Sequence, residues 1–237
     1  GAIGAAFATH YKISNKKRTF QMKHAYWGTS FDNDQILNCL KKNEKKIEDQ
    51  KCSFKYISDN NELNKMVANN ISDGKVVGWF QGKMEWGPRA LGNRSILGDP
   101  RRSDMKDILN LKIKRRESFR PFAPSIIREH VSKWFKIDDE VPFMMKVYQI
   151  KDDKRKEIPA VTHVDGSGRL QTVYQETNKK YYDLINEFYK ITKVPIVLNT
   201  SFNENEPIVS KPEEALDCFL RTKMDTLVME NYIIKRV

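Results

Sequence analysis

The chain has 237 residues, a formal net charge of +11 and a hydrophobic fraction of 39%. These values exclude a disordered chain and predict one large domain, or two small ones, with a substantial buried core. The sequence contains neither an apolar run near the roughly 20 residues of a membrane-spanning helix nor a signal-peptide pattern, so we expect a cytoplasmic protein. The positive charge predicts an anionic partner: a nucleotide, a phosphorylated substrate or a nucleic acid. The three cysteines lack metal-ligand spacing and are expected to be free thiols.

The first 25 residues differ in composition from the rest of the chain. Residues 1–11 are rich in Gly and Ala and predict a helix, which would need another surface to pack against. The basic, polar residues 12–23 predict a connector. We therefore interpret residues 1–25 as a remnant helix and linker from an upstream domain, and residues 26–237 as one domain. A native N-terminal helix is the alternative interpretation.

Beyond the connector, hydrophobic spacing predicts interleaved helices and strands. A capping box formed by Ser210 and Glu213 predicts the start of a last helix. Helical spacing occurs at residues 36–47, 63–71 and 181–188. Strand patterns occur at residues 53–57, 75–80, 122–127, 143–150, 170–175, 194–199 and 226–237. Because helices and strands interleave, the predicted fold class is α/β with a mixed sheet.

Residues 82–102 combine glycines, prolines and basic residues, and lie between a predicted strand and a helix predicted to start near Ser103. A glycine-rich loop in this position is a common place for phosphate groups, and arginine adds bidentate hydrogen bonds to them. Residues 83–120 contain eleven Lys and Arg against five Asp and Glu. We therefore predict an anion site in this segment.

A second basic cluster follows closely. Arg120 precedes a proline and enters an apolar strand, so its side chain is predicted to point into a cleft, with Ser125 beside it. For the neighbouring Lys112 and Lys114, a solvated helix end is an equally good interpretation, because cations are favourable there.

Two polar loops border predicted strands. One contains Asp165 and Arg169 and is otherwise typical of a hairpin. The other ends a buried strand with Asn199, Ser201 and Asn203. Polar groups at such a strand end commonly contact a ligand, although an Asx-turn would also explain them.

Four motifs together resemble one family. The segments GKMEWGPRALGNRSILGDPR, RRESFRPFAPS, HVDGSGRLQTV and VLNTSFNENEPIVSKPEEAL are similar, in this order, to the C-terminal domain of the NodU-type and antibiotic O-carbamoyltransferases. The similarity covers about residues 26–237, and residues 1–6 resemble the end of the family's N-terminal domain. The resemblance implies a YrdC-like fold, which is a twisted mixed sheet with flanking helices around a basic cleft.

The resemblance also implies a reaction. The family's C-terminal domain is expected to bind ATP, with Mg²⁺, and carbamoyl phosphate, and to form carbamoyl adenylate with release of pyrophosphate and phosphate. The N-terminal domain, an actin-fold-like module with the acceptor site and a metal, then passes the carbamoyl group to a substrate hydroxyl. Positioning and charge neutralisation dominate such chemistry, which fits a chain rich in arginine without a recognisable nucleophile–base pair.

The motif positions imply roles for individual residues. Arg94, Lys83 and Arg120 are the expected catalytic residues, and we expect the substitution Arg94→Ala to abolish the chemistry while leaving the fold intact. Glu85 and Asp99 are weaker candidates for contact with a nucleotide-bound magnesium ion, and no histidine has metal-ligand spacing. The expected contacts of substrate and nucleotide are Arg89, Ser125, Asp165, Arg169, Asn199, Ser201 and Asn203.

Two other function classes remain open. A nucleic-acid-binding module of YrdC-like type would also be basic, although no recognition helix or aromatic-interleaved basic strand is present, which makes a nucleic-acid partner the weaker prediction. A regulatory domain that binds a nucleotide without chemistry is the second alternative. Steep salt dependence of polyanion binding would indicate the first, and the lack of pyrophosphate release would indicate the second.

Overall fold

The computed structural model describes residues 1–117 and 119–236, without the side chain of Lys112. The helices are α1 (Ala2–Ser14), α2 (Asn33–Lys42), α3 (Glu44–Asp49), α4 (Asn60–Ser72), α5 (Met105–Leu109), α6 (Val131–Trp134), α7 (Lys179–Thr192) and α8 (Pro212–Arg221). A π-helical turn, Asn110–Lys114, continues α5. The strands are β1 (Cys52–Tyr56), β2 (Val77–Phe80), β3 (Arg94–Gly98), β4 (Ala123–Ile127), β5 (Lys146–Gln149), β6 (Ser167–Val173), β7 (Ile196–Ser201), β8 (Thr226–Met229) and β9 (Tyr232–Arg236).

All of these strands join one sheet in the order β1-β9-β8-β2-β3-β7-β4-β6-β5. The pairs β2–β8 and β4–β6 are parallel, and the other neighbours are antiparallel. The central strands are buried along their whole length, which indicates cover on both faces of the sheet. The predicted class, α/β with a mixed sheet and flanking helices, is therefore confirmed.

Helix α7 shows how sequence pattern becomes packing. Its apolar residues recur with helical spacing, and Tyr181, Leu184, Ile185 and Phe188 are all buried. Asn178 caps the helix by accepting a hydrogen bond from the Tyr181 backbone N–H at 3.3 Å. The buried face packs on α4 and on strands β4 and β7, which places the start of α7 next to the functional site described below.

Several predicted element boundaries are wrong. Strand β3 lies inside the segment that the sequence predicts to be a loop, because its short, buried sequence has no apolar–polar alternation. The strand predicted at residues 226–237 is two strands, with Glu230 at a φ of 48° in the turn between them, and Val237 lies outside the described residues. The last helix is capped one residue later than predicted: the backbone N–H groups of Ser210 and Lys211 donate to the Glu214 carboxylate.

The N-terminal segment makes few contacts with the sheet. Helix α1 contains no buried residue, and residues 15–25 have no regular structure. Packing begins at Ala25, which is buried, and at Tyr26, which forms a bridge with Glu85. The division of the chain at residue 25 remains a prediction.

Two further expectations concern the whole chain. Cys39, Cys52 and Cys218 are buried and form no disulfide bond, as expected of free thiols. Among the residues that the structure describes, no helix combines the length and the apolar character needed to cross a membrane.

Candidate anion-binding site

A cavity of about 280 Å³ lies where β7 extends past the start of β4. Asn199 pairs with Ala123, the first residue of β4, so the two residues after Asn199 have a strand neighbour only on the β3 side. The lining residues that are described include no Asp or Glu. The polar and basic residues of the wall are Arg89, Arg116, Arg120, Arg169, Asn199, Thr200 and Ser201. We call this space the arginine cavity.

Arg89 and Arg169 have no hydrogen-bond or ion-pair partner for their guanidinium groups among the described residues, and the Nε atom of each is buried. Burial, followed by the charges of Arg89 and Arg116, lowers the pKa of Arg169. Buried positive charges without partners are costly, and like charges side by side add to the cost. An anion in the cavity would remove both penalties.

Arg116 and Arg120 form the outer part of the wall. Arg116 donates from Nε to Asn110 Oδ1 at 2.8 Å, and its guanidinium carbon lies 5.0 Å from the centroid of the Phe122 ring. Burial and the charge of Arg120 lower the pKa of Arg116. Arg120 is exposed and forms an ion pair with Glu117 at 3.0 Å. Arg120 therefore lies on the cavity wall, but its guanidinium is paired with a carboxylate, and its predicted role remains a prediction.

Asn199 belongs to a buried polar network behind the cavity. Its Nδ2 donates to the Ala90 carbonyl at 3.2 Å and to Gln171 Oε1 at 3.1 Å. Both atoms are acceptors only, so they fix which end of the amide faces them. The opposite atom, Asn199 Oδ1, is buried without a partner. Ser125 donates to Gln171 Oε1 at 2.6 Å and is fully buried, so it supports the wall and does not line the cavity.

The loop that carries Arg89 is held by the buried carboxylate of Glu85. Glu85 Oε1 accepts hydrogen bonds from the backbone N–H groups of Leu91 and Asn93, each at 2.7 Å. Burial raises the pKa of Glu85, and the two backbone donors oppose this rise. The Leu91 carbonyl accepts from Gln171 Nε2 at 2.8 Å. These bonds make the path of residues 85–93 independent of a ligand.

Gly92 is required in this loop for a steric reason. Its φ is +104°, and a Cβ at this position would lie 2.1 Å from a carbon of the Tyr181 ring. Only glycine meets both conditions without a shift of α7.

The prediction that Arg94 lies in a loop with a free side chain is wrong. Arg94 is the first residue of β3 and is 0% exposed. Its terminal nitrogens donate to the backbone carbonyls of Gln81 at 2.8 Å, Asn93 at 2.9 Å and Thr29 at 3.0 Å. The guanidinium carbon also lies 3.7 Å from the centroid of the Phe80 ring. This geometry is that of a structural arginine, and Arg94 does not line the arginine cavity.

Three other predicted site residues also lie outside the cavity wall. Lys83 is exposed on the loop before Glu85. Asp165 is exposed in the turn before β6, where its Oδ1 accepts from the backbone N–H of Ser167 at 3.0 Å. Asn203 lies two residues after the end of β7 and accepts a hydrogen bond from Lys114. Their predicted roles remain predictions, without support from the cavity geometry.

Sequence reasoning noted Thr200 among the polar residues that end β7, and Lys114 and Arg116 in the second basic cluster, but assigned no site role to them or to Gln171. Arg116 and Thr200 line the cavity, Gln171 organises its back wall, and Lys114 lies buried beneath the end of β7. Arg116 could have been found from its place in the RRESFR motif. The sequence marked Lys114 as part of a basic cluster and left a solvated helix end open for it, but Lys114 is buried. No sequence signal marked Gln171, because its importance depends on which side chains fold next to it.

The two weaker magnesium candidates do not fit a metal. Glu85 Oε1 accepts from backbone N–H groups and the carboxylate is buried, and Asp99 accepts from both Nε and a terminal nitrogen of Arg101. The described residues include no cluster of three or more His, Cys, Asp or Glu side chains that could hold a metal ion.

An apolar groove of about 640 Å³ adjoins the cavity. Pro88 and Arg89 line both the groove and the cavity, so the loop that carries these two residues separates the two spaces. The groove runs between α1 and the loops that contain residues 86–91 and 143–145, and its wall includes Phe7, Trp86 and Met145, which are all exposed.

Comparisons with known proteins agree with this architecture. The chain is 42% identical to the nodulation protein NolNO of Sinorhizobium fredii, over 99% of the chain and 34% of that protein. It is 40% identical to the nodulation protein NolO of Bradyrhizobium diazoefficiens, over 99% of the chain and 42% of that protein. The chain thus spans less than half the length of these curated relatives.

A solved structure shares the fold. The crystal structure of full-length HypF in the phosphate- and nucleotide-bound form matches with a TM-score of 0.50 and 20% sequence identity. The match covers 78% of this chain and 22% of that one. The sequence profile described as "Carbamoyltransferase C-terminus" matches residues 68–236, a range that contains the whole arginine cavity. The chain therefore belongs to the carbamoyltransferase C-terminus family.

Proposed function

We propose that this chain binds ATP and carbamoyl phosphate at the arginine cavity and forms carbamoyl adenylate. In the overall reaction, ATP, carbamoyl phosphate and one water give carbamoyl adenylate, pyrophosphate and phosphate. Water splits the carbamoyl phosphate into phosphate and carbamate, and a carbamate oxygen then attacks the α-phosphorus of ATP, from which pyrophosphate leaves. Family membership and the phosphate- and nucleotide-bound state of the HypF structure support the proposal.

The observation that carries the proposal is the set of unpaired charges in the wall. Arg89 and Arg169 present guanidinium groups that no described residue satisfies. Arginine donors in fixed positions bind phosphate oxygens by paired, charge-assisted hydrogen bonds. Because Glu85 anchors the backbone of the loop that carries Arg89, and Arg169 belongs to strand β6, the backbone of both arginines is fixed before the ligand arrives.

The chain's own residues have separate tasks in this scheme. The four arginines of the wall bind the phosphate groups and neutralise the negative charge that builds up on the leaving groups. Asn199 Oδ1, the buried acceptor without a partner, is suited to the carbamoyl amino group, since that group is a hydrogen-bond donor. Mg²⁺ would shield the nucleotide phosphates, and no residue of the wall is assigned to it.

Transfer of the carbamoyl group to a hydroxyl is assigned to another part of the same protein. The relatives are more than twice the length matched by this chain, which supports an upstream acceptor domain. The apolar groove is suited to receive such a domain, because it carries exposed aromatic side chains and adjoins the cavity through Arg89. The acceptor substrate is set by that domain.

Release of pyrophosphate tests the proposal directly. The chain is mixed with ATP, MgCl₂ and carbamoyl phosphate, and pyrophosphate and phosphate are measured over time. We expect release that depends on carbamoyl phosphate, a loss of about tenfold or more in Arg169→Met, and no change in Arg128→Met, an arginine remote from the cavity that pairs with Asp138. Absence of both release and calorimetrically detected binding of either substrate would contradict the proposal.

A further inference from the structure

Glu230 lies in the turn between β8 and β9, in a backbone conformation that is unfavourable for its side chain. Its φ is 48°, in the left-handed region that glycine and asparagine adopt most readily. Its backbone N–H donates to the Phe80 carbonyl at 2.9 Å, which ties the turn to the end of β2. A glutamate kept at such a position indicates that its carboxylate has a task that glycine could not perform.

The Glu230 carboxylate connects three segments of the chain. Its Oε1 accepts from the backbone N–H of Gly82, and its Oε2 accepts from Lys180 Nζ, on α7, at 3.1 Å. The same ammonium donates to the Glu230 carbonyl at 2.9 Å. The side chains of Lys180 and Glu230 are only 15% and 19% exposed. Burial lowers the pKa of Lys180, and the charge of Glu230 opposes this change, so the carboxylate stabilises the cation.

Gly82 is the point at which the loop of residues 82–93 leaves the sheet. The Gln81 N–H still donates to the Asn93 carbonyl at 3.0 Å, in continuation of the pairing of β2 with β3. Gly82 has a φ of +52°, and its N–H donates to Glu230 instead. Its carbonyl accepts from a terminal nitrogen of Arg94 at 3.2 Å. Charged side chains therefore hold both backbone groups of Gly82 and fix the direction in which the loop departs.

Hydrogen bonds connect this departure point with Arg89. The Lys83 carbonyl accepts from Asn93 Nδ2 at 2.7 Å, and the Asn93 N–H donates to Glu85 at 2.7 Å. Arg89 lies between Glu85 and Asn93 in the chain and lines the arginine cavity. A shift of the backbone at Gly82 therefore reaches both ends of the segment that carries Arg89. Because Glu85 anchors this segment as well, we expect a moderate effect.

We propose that Glu230 is a positioning residue, whose carboxylate fixes the backbone at Gly82 and thereby holds Arg89 in place for a phosphate group in the arginine cavity. The proposal rests on the proposed function in one respect: it takes carbamoyl phosphate to bind in that cavity.

Three variants test the proposal. Glu230→Gly removes the carboxylate and also removes the backbone strain, whereas Glu230→Gln keeps the length and offers an amide oxygen to the Gly82 N–H. Lys193→Gly is the matched control, because Lys193 also has a positive φ, 63°, and lies exposed at the end of α7. Calorimetry gives the dissociation constant for carbamoyl phosphate, and thermal melts give the stability of the same samples.

A positioning role separates affinity from stability. We expect the dissociation constant to rise about fivefold in Glu230→Gly and by less than about twofold in Glu230→Gln. Lys193→Gly should bind as the native chain does. The melting temperature of Glu230→Gly should stay within about 4 °C of the native value, because the relief of strain offsets the lost ion pair.

The outcomes distinguish this proposal from the proposed function. Native affinity in Glu230→Gly would overturn the role of Glu230 and leave the proposed function standing. A loss in Glu230→Gln as large as that in Glu230→Gly would also overturn it, because the amide oxygen can still accept from Gly82. No binding of carbamoyl phosphate by the native chain would contradict the proposed function and, with it, the positioning role.

A measurement on the native chain covers the case in which Glu230→Gly does not fold. Hydrogen exchange of the Gly82 amide is followed by nuclear magnetic resonance. The reference is the amide of Gly87, which has no acceptor among the described residues. We expect Gly82 to exchange at least about 100-fold more slowly than Gly87. Equal exchange of the two amides would overturn the proposal, because the bond to Glu230 would then not hold the loop.

Discussion

Arg94 and Arg169 have the same side chain but opposite surroundings. Arg94 begins the central strand β3, where backbone carbonyls accept from both of its terminal nitrogens and the Phe80 ring covers its face. Arg169 lies in the cavity wall, where its guanidinium has no described partner. The first arginine is used by the fold, and the second is available to a ligand.

The comparison shows that acceptors within the protein, and not burial alone, separate structural from ligand-binding arginines. Both side chains have a lowered pKa because of burial, to about 10 for Arg94. Arg94 is fully buried and Arg169 is half-buried, but the lowered pKa alone does not show which guanidinium is available to a ligand. The number of protein oxygens that each guanidinium reaches does, because every donor satisfied internally is lost to a ligand.

The largest expected effect is on stability and follows from Arg94→Met. The substitution leaves the carbonyls of Gln81, Gly82 and Thr29 without this donor in a buried region. We expect the free energy of unfolding to fall by about 3 kcal/mol, measured by urea denaturation. Pyrophosphate release should fall only in proportion to the folded fraction. A normal unfolding curve combined with lost activity would mean that Arg94 contacts the substrate and is not a structural residue.

The second effect is also on stability and concerns the glycines of the loop at residues 85–93. Gly92→Ala combines a positive φ with a clash against the Tyr181 ring, whereas Gly87→Ala combines a φ of +128° with open space. We expect Gly92→Ala to cost about 3 kcal/mol and Gly87→Ala about 1–2 kcal/mol, which is backbone strain alone. Thermal melts of the two variants check this order. Equal losses would mean that the loop yields to the added methyl group.

A third effect is on binding without a change in stability. Arg89→Met and Arg169→Met remove donors that no protein group uses, so each should keep the native unfolding free energy within about 0.5 kcal/mol. The dissociation constant for carbamoyl phosphate should rise by about 10- to 100-fold in each, because a charge-assisted bond in a buried site is lost. Urea denaturation of each variant measures the unfolding free energy, and calorimetry of the same variant measures the dissociation constant for carbamoyl phosphate. Destabilisation without weaker binding would mean that the cavity arginines are structural.

The smallest effect comes from the exposed edge of the cavity. Glu117→Gln releases Arg120 from its ion pair at 3.0 Å, and both side chains are more than half exposed. Such pairs contribute about 0–1 kcal/mol, so the affinity for carbamoyl phosphate should improve by less than about fivefold. A large gain would show that Glu117 competes directly with the ligand for Arg120.

The sequence predicted the elements with clear periodicity, and it predicted part of the site. Helix α7 and strands β2, β4 and β7 follow from apolar spacing. Asn199 was a candidate because polar residues at the end of a buried strand commonly contact a ligand, and Arg169 because of the family resemblance. Both line the arginine cavity, and their roles remain predictions. These features depend on local pattern, which a sequence displays directly.

The remaining features depend on contacts between distant segments. Arg94 was assigned to a ligand because its motif looks like a loop, and only the pairing of β3 with β2 and β7 shows that it is buried. The environment of Lys114 is created by Ser201 and Asn203, which lie 87 and 89 positions later in the chain. No spacing rule in the sequence reports such contacts.

The most direct test of the account compares these arginines in one sample. Carbamoyl phosphate is added to ¹⁵N-arginine-labelled chain, and the Nε–H signals are followed by nuclear magnetic resonance. The account predicts that the signals of Arg89 and Arg169 move and saturate together, while the signal of Arg94 stays in place. Movement of the Arg94 signal with stationary Arg89 and Arg169 signals would contradict it.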